Sequence, residues 1–144
     1  MSPVRALVAA ALATLGFART ATASPAQDYM LYCMGCHGAQ AQGVPGKIPP
    51  LAGALARYMR LPAGRAYVLR VPGAANSVLS DAQLAAVLNW LAITYAPTDE
   101  TPPAAFSPEE VTRIRHTPLA DVQATRREVV RELSASGPAP SLDY

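Results

Sequence analysis

The clearest pattern of apolar and polar positions in the chain lies between residues 80 and 95. Ser80 and Gln83 have the spacing of a helix-capping box, in which both side chains satisfy backbone N–H groups at a helix start. After them, apolar residues recur three and four positions apart, at Leu84, Val87, Leu88 and Leu91. The pattern predicts an amphipathic helix with one buried face, which ends before Pro97.

Helix starts recur elsewhere in the chain, whereas strand patterns do not. A serine, a proline and a glutamine within residues 24–27 predict a helix that runs to about Cys33. Residues 51–60 and 67–69 predict shorter helices, and residues 35–50 contain too many glycines and prolines for regular structure. Because alternating patterns are weak throughout, the chain predicts an all-α fold.

The composition changes after residue 97, where a polar, proline-rich segment leads to further helix signals. Ser107 is followed by a proline and two glutamates, which is the pattern of a helix start, and residues 119–133 predict a second helix. We interpret residues 98–144 as a C-terminal helical extension of a domain formed by residues 24–97. The extension either wraps on that domain or is offered to a partner.

The first 23 residues have the layout of a secretory signal peptide. Arg5 precedes an apolar run over residues 6–18, and Ala21 and Ala23 supply the small residues for cleavage before Ser24. Because a membrane span needs about 20 apolar residues, the run is too short to be one. We therefore expect residues 1–23 to be removed on export to the periplasm, which leaves a chain with no membrane span.

The composition is that of one globular domain without a strong charge. The chain has 144 residues, of which 51% are hydrophobic and 15% charged, with 12 Lys and Arg residues against 10 Asp and Glu residues. Two of the positive charges, Arg5 and Arg19, lie in the expected signal peptide. The remaining chain is near neutral, which gives no electrostatic basis for binding nucleic acid or an anionic membrane.

Residues 33–37 read C-M-G-C-H, the C-x-x-C-H spacing of a covalent haem c attachment sequence. Two thiols on one helical turn can add to the two vinyl groups at one edge of a porphyrin, and the adjacent imidazole of His37 can bind the iron. A thioredoxin-like site is disfavoured because no βαβ pattern surrounds the cysteines. A zinc site is disfavoured because Cys33, Cys36, His37 and the distant His116 are the whole supply of Cys and His. A disulfide across so short a spacing is strained.

With these residues, the chain resembles the class I cytochromes c over residues 24–96. The resemblance implies that the first and last helices of the domain cross, with Tyr29 against the apolar face of residues 84–91. It also implies that a proline carbonyl accepts a hydrogen bond from the free N–H of the proximal histidine, and Pro50 is the best match for that proline. Such a bond orients the imidazole and raises its basicity.

The chain departs from this family where the sixth iron ligand is expected. Class I members usually place a Met-Pro pair before the last helix, whereas this chain has Val71 and Pro72 there. Met59 is one candidate distal ligand, although its position on an apolar helix face also fits a core residue. His116 is a second candidate, and an open sixth position is the third possibility.

Three arginines are candidates for binding the haem propionates. They are Arg60, Arg65 and Arg70, and their alternative is a solvated position on the surface. Tyr67 and Trp90 are further candidates for the same hydrogen bonds, with a core position as the alternative for Trp90.

Together these features predict a periplasmic mono-haem c-type cytochrome that carries single electrons between a periplasmic dehydrogenase and a downstream acceptor. The sequence shows no catalytic acid–base pair and no activated nucleophile, so we do not predict an enzyme. One alternative is a ligand-binding or peroxidase-like haem protein with an open sixth coordination position. Another is the haem subunit of an oxidoreductase, with residues 98–144 as its docking element. If those residues only dock, their removal should leave the haem site intact.

Overall fold

The computed structural model describes residues 23–141, which form eight helices and no paired strands beyond a single bridge between Val44 and Ile48. The all-α prediction is therefore confirmed. The helices are α1 (Pro25–Tyr32), α2 (Met34–His37), α3 (Leu55–Tyr58), α4 (Pro62–Arg70), α5 (Pro72–Ala75), α6 (Asp81–Thr94), α7 (Pro108–Ile114) and α8 (Val122–Ser136).

The two predicted capping boxes are present and set the starts of α1 and α6. At α1, the Ser24 hydroxyl accepts from the Gln27 backbone N–H at 3.3 Å, and the Gln27 side chain accepts from the Ser24 N–H at 2.8 Å. The Ser80 and Gln83 pair repeats this arrangement at α6. Both starts are local features, because each box satisfies its N–H groups from within four residues.

Helices α1 and α6 pack against each other, in agreement with the resemblance. Tyr29 is 1% exposed, and its ring lies 5.7 Å from that of Trp90, centroid to centroid. The apolar face of α6 is buried, including Leu84, Leu88 and Leu91. This packing positions the end of α1, where Cys33 leads into α2, and α2 contains Cys36 and His37.

The middle of the chain differs from the prediction in where its helices begin and end. The helix expected over residues 51–60 is the single turn α3, and the turn expected at residues 67–69 is part of the longer α4. Pro72 does not only end α4. It begins α5, because proline is favoured at the first position of a helix, where its missing N–H has no partner to lose.

The C-terminal extension completes the hydrophobic core of the domain. Helix α7 packs on α6, and α8 packs on α3 and α4. The extension buries five large side chains in the core, namely Phe106, Val111, Val129, Val130 and Leu133. The Asn89 side chain of α6 also exchanges two hydrogen bonds with the backbone of Phe106, at 2.8 and 2.9 Å. The extension is therefore wrapped on the domain, and its core side chains are not available to a partner.

A row of four arginines on the domain binds the polar side of the extension. Arg57 and Arg60 both pair with Glu100, at 2.9 and 3.0 Å. Arg65 makes a two-point contact with Glu110, at 2.7 and 2.5 Å, and Arg70 donates to two backbone carbonyls of residues 117 and 118. These contacts join segments that the sequence separates by 39 to 48 positions.

Arg115, at the end of α7, is an arginine of the extension that binds the domain. It is 4% exposed and donates to the carbonyls of Ala75, Ser77 and Leu79 and to the Asp81 carboxylate. Two of these partners, Ser77 and Leu79, lie in the irregular segment that leads from α5 into α6, and Ala75 and Asp81 flank it. The extension therefore holds the backbone immediately before α6 in place.

No helix within residues 23–141 is long and apolar enough to cross a membrane. The expected signal peptide lies outside the described residues, except for Ala23, which is exposed.

Candidate functional site

The two cysteines lie on one turn at the junction of α1 and α2. Cys33 ends α1 and begins α2, and its carbonyl accepts from the N–H groups of Cys36 and His37, at 3.2 and 3.0 Å. Cys36 is exposed and Cys33 is half-buried, and they do not form a disulfide. The turn therefore presents two thiols beside one imidazole.

The imidazole of His37 is oriented by a backbone carbonyl. Its Nδ1 lies 3.1 Å from the carbonyl oxygen of Pro49 and donates to it. The predicted acceptor, Pro50, is therefore wrong by one residue. Successive carbonyls of an extended chain point to opposite sides, so the register decides which proline faces the ring. That register is set when the N–H groups of Leu51 and Ala52 bind the Ala41 carbonyl, at 2.8 and 3.0 Å.

Burial sets the protonation of both groups. It lowers the pKa of His37, an effect that the Pro49 carbonyl partly offsets by accepting a bond from the ring. The imidazole is thus neutral at pH 7, and its proton on Nδ1 leaves the Nε2 lone pair free to bind a metal. Burial also raises the pKa of the Cys33 thiol, and the nearby Asp28 and Cys36 act in the same direction.

The turn after His37 is held by two tyrosines that the sequence analysis did not assign to the site. The Tyr29 hydroxyl donates to the Gly38 carbonyl at 2.5 Å, and the Tyr95 hydroxyl donates to the Ala39 carbonyl at 3.3 Å. Trp90 lies between the two rings, with its centroid 5.9 Å from that of Tyr95. The position of Tyr29, one helical turn before Cys33, was the available signal for its role.

The donor set fits haem better than a single bound ion. No group of three or more Cys, His, Asp or Glu side chains within residues 23–141 is arranged to hold one metal ion. Cys33, Cys36 and His37 therefore do not converge on a point, as a zinc site requires. Two thiols along one edge and a separate imidazole with a free Nε2 could instead hold a macrocycle by covalent bonds and bind its iron.

The two candidate sixth ligands, Met59 and His116, and the position where the family has its methionine lie in three different places. Met59 is 2% exposed, at the end of α3 among core side chains. Val71 lies between α4 and α5 and is half-buried against the core. His116 is exposed beside a cleft that Pro72 and Asn76 also line. The described contacts do not bring Met59 or His116 to His37.

The arginines proposed for the haem propionates have other partners. Arg65 and Arg70 donate to the extension, and Arg60 binds Glu100 and the Thr101 carbonyl at 2.6 Å. Carboxylates and carbonyls of the extension therefore engage donors of all three side chains, and their assignment to the haem propionates stays a prediction.

An all-α fold with two thiols and an imidazole on one turn fits a protein of the covalent haem class. No family model matches the chain. It is 33% identical over 128 residues to cytochrome c-552 of Thermus thermophilus, a match that covers 76% of this chain and 86% of the relative. A second cytochrome c-552 of Thermus thermophilus is 32% identical over 110 residues, with 63% and 84% covered. The chain belongs to the c-type cytochromes, which carry electrons on covalently attached haem c.

Proposed function

We propose that Cys33 and Cys36 attach one haem c and that Nε2 of His37 is the proximal ligand of its iron. Each thiol would hold the haem through a C–S bond to one vinyl group, with the thiol hydrogen on the other vinyl carbon, so that no group leaves. The observation that carries this proposal is the Pro49 bond to Nδ1, since it leaves Nε2 free beside the two thiols. When bound, haem supplies a couple between ferric and ferrous iron that accepts or donates one electron.

The chain's own residues orient and tune this site. The Pro49 carbonyl holds the imidazole plane and increases its electron donation, as bonds to the second nitrogen of a ligating histidine generally do. Tyr29 and Tyr95 fix the turn that follows His37 through its carbonyls. A rigid ligand turn suits electron transfer, because little rearrangement then accompanies the change of iron charge.

We further infer a periplasmic role, between a dehydrogenase and a downstream acceptor. The signal-peptide layout of residues 1–23 supports export, and membership of the c-type cytochromes supports electron transfer over catalysis. The redox partner on either side is expected to be a periplasmic protein such as a dehydrogenase or an oxidase.

Covalent attachment is tested with cysteine variants. Haem should stay with the wild-type chain after acid denaturation and organic extraction, whereas Cys33→Ala and Cys36→Ala should each lose much of it. Met34→Ala, which changes a residue between the two thiols, is the matched control and should retain haem. Complete extraction of haem from the wild-type protein would refute the proposal.

A second candidate function, ligand binding at an open sixth position, is favoured by Val71 at the family's methionine position and by the core burial of Met59. The ferrous protein should then be high-spin and bind carbon monoxide quickly. If Met59 is the ligand, the oxidised protein should show the near-infrared band of thioether ligation, and Met59→Leu should abolish it. A low-spin protein that resists carbon monoxide and is unaffected by Met59→Leu would exclude both the open sixth position and Met59 as the ligand. His116→Ala would then be the next variant to measure.

A further inference from the structure

A cleft of about 200 Å³ lies between α5 and the segment that joins α7 to α8. Its apolar walls are formed by Pro72, Ala75, Pro118, Leu119 and Val122. Its polar lining consists of Arg70, Asn76, Arg115 and His116. Within the described part of the chain, no acidic side chain lines this cleft. The cleft therefore combines apolar walls with basic side chains.

Of the four arginines in the row on the domain, Arg70 is the one without a carboxylate partner among the described residues. The other three bind glutamates of the extension, at 2.5 to 3.0 Å. Arg70 donates instead to the neutral carbonyls of Thr117 and Pro118, at 2.7 and 2.8 Å. Arg115, the other arginine of the cleft, is paired with Asp81 at 2.9 Å. The uncompensated charge of the cleft is thus that of Arg70.

The guanidinium of Arg70 is also held in a fixed orientation. Its two bonds to the extension use Nε and one terminal nitrogen, so they constrain the plane of the group. An arginine side chain has five N–H groups, so about three remain for a ligand. A donor group that the fold has already oriented loses little conformational freedom when it binds.

A second cleft of similar size, about 170 Å³, shows the contrast. It also lies between the domain and the extension, and Arg60 and Glu100 both line it. These two side chains are paired at 3.0 Å, so the charge of Arg60 is balanced within the protein. An anion that entered the second cleft would have to displace Glu100, whereas an anion at Arg70 displaces no described carboxylate.

We propose that the cleft at Arg70 binds a small organic monocarboxylate, with the carboxylate on the guanidinium and a short hydrocarbon tail against Leu119 and Val122. The planar guanidinium matches the two oxygens of a carboxylate. The amide of Asn76 and the exposed imidazole of His116 can add further N–H donors.

The walls and the volume select the kind of acid. Apolar walls favour a hydrocarbon tail, whereas inorganic phosphate would lose hydration there without gaining a second unpaired cation. Because the cleft is smaller than the pockets that hold drug-sized ligands, the tail has only a few carbon atoms. The cleft shares no residue with the attachment turn at residues 33–37, so this proposal does not depend on the proposed function.

The test is a proton NMR titration of the full, haem-loaded protein with pentanoate at constant pH and ionic strength. The chain has two histidines, and the ring signals of His116 report on the cleft. Pentanoate should bind with a dissociation constant of about 1 mM. Pentanamide, which has the same length and no charge, and inorganic phosphate should each bind at least about tenfold more weakly.

Arg70→Gln should weaken pentanoate binding by at least about tenfold. Arg60→Gln is the matched control and should leave binding unchanged, since Arg60 belongs to the same row and binds a carbonyl of the extension but does not line this cleft. Asn76→Asp introduces a carboxylate of nearly the same shape at an exposed lining position, so it changes the charge without removing a large side chain. It should weaken binding by about threefold or more, and more strongly at low salt.

Equal binding of pentanoate and pentanamide, equal losses in Arg70→Gln and Arg60→Gln, or no change in Asn76→Asp would overturn the proposal. Tighter binding of phosphate would make the cleft a site for an inorganic anion. Tighter binding of a short peptide through its free C-terminal carboxylate would make it a site for the end of another chain. Either result contradicts binding of a small organic acid.

Two outcomes separate this proposal from the proposed function. If a haem propionate occupies Arg70, the haem-loaded protein will not bind pentanoate, and the cleft proposal fails while haem attachment stands. If the chain holds no covalent haem, the proposed function fails, and the same titration of the full chain still decides whether the cleft binds the acid.

Discussion

Arg115 shows how one side chain can determine the path of a segment to which it is not adjacent in sequence. Its guanidinium binds three carbonyls and one carboxylate while being 4% exposed. A buried cation is costly unless its donors are used, and here four donor contacts and the Asp81 charge compensate that cost. The planar fork of arginine reaches several acceptors at once, which a lysine cannot do.

Replacement of Arg115 should destabilise the protein strongly. Arg115→Met should lower the free energy of unfolding by about 3 kcal/mol, because it leaves the carbonyls and the Asp81 carboxylate without their donor. Arg115→Lys should recover part of this loss, since it keeps the charge. Urea denaturation measures both variants. Arg113→Lys, at an exposed position of the same helix, should stay within about 0.5 kcal/mol, and an equal loss there would contradict the role of Arg115.

Gly64 permits a close approach between the first turn of α4 and the end of α3. A Cβ atom at this position would collide with the Tyr58 backbone carbonyl, which has no freedom to rotate away. By contrast, a Cβ atom at Gly73 in α5 would meet nothing within 4 Å. Only Gly64 is therefore required by packing, although both glycines lie in helices.

The same substitution should have opposite effects at these two positions. Gly64→Ala should destabilise the protein by about 2 kcal/mol, because α3 and α4 must move apart. Gly73→Ala should be neutral or stabilising by about 0.5 kcal/mol, because alanine has the higher helix propensity. Thermal unfolding of the two variants in parallel measures the difference, and a similar loss in both would show that the close approach is not limiting.

At the scale of the elements, the features that could be predicted from the sequence are those that depend on residues close together in the chain. The capping boxes at Ser24 and Ser80 act within four positions, and residues 33–37 are contiguous, so both could be identified directly. Pro49 could not be distinguished from Pro50, because the choice depends on how Ala41 binds the returning loop. The partners of the four arginines lie about 40 positions away, and no local pattern identifies them.

The pairing of α4 with α7 should make stability depend on pH. The Arg65 guanidinium holds the pKa of Glu110 below its ordinary value of about 4.5. A carboxyl with a lowered pKa in the folded protein contributes stability above the unfolded value and loses it as the pH falls through the folded value. The contribution of this pair should therefore be complete at pH 7 and decline below about pH 4.5.

Glu110→Gln isolates that contribution. At pH 7 the variant should be less stable than wild type by about 1 kcal/mol, and the difference should shrink as the pH falls below about 4. Urea titrations of both proteins over a pH series measure the difference, so that other titrating groups cancel. Glu128→Gln, at an exposed position of α8, is the control. A deficit that does not change with pH would contradict ionic pairing with Arg65.

At the scale of the whole molecule, the extension is part of the core. Five of its large side chains are buried there, and each such side chain stabilises a fold by about 1.5 to 3 kcal/mol. Their sum is comparable to the total stability of a typical domain. A helical extension could be predicted from Ser107 and residues 119–133, but its packing could not. An apolar helix face indicates that the face is buried, and it does not identify the helix that packs against it.

Deletion of residues 98–144 should therefore abolish cooperative unfolding, contrary to the expectation that these residues only dock. Near-UV circular dichroism and urea titration of the truncated chain measure this. Phe106→Ala should still fold, with a loss of about 3 kcal/mol, and shows whether single core contacts of the extension contribute. A truncated chain with a sharp transition and wild-type haem content would show that residues 24–97 fold alone.

The long sequence separation between the arginines and their partners also means that the two sides of each contact are synthesised at different times. A chain is synthesised from its N-terminus, so Cys33 and Cys36 exist well before Glu100, Glu110 and Phe106. Until those later residues are made, Arg57 and Arg65 have no carboxylate to bind and the core has no cover on that side. The domain around the attachment turn therefore stays without the cover of the extension until residues 98–144 are in place.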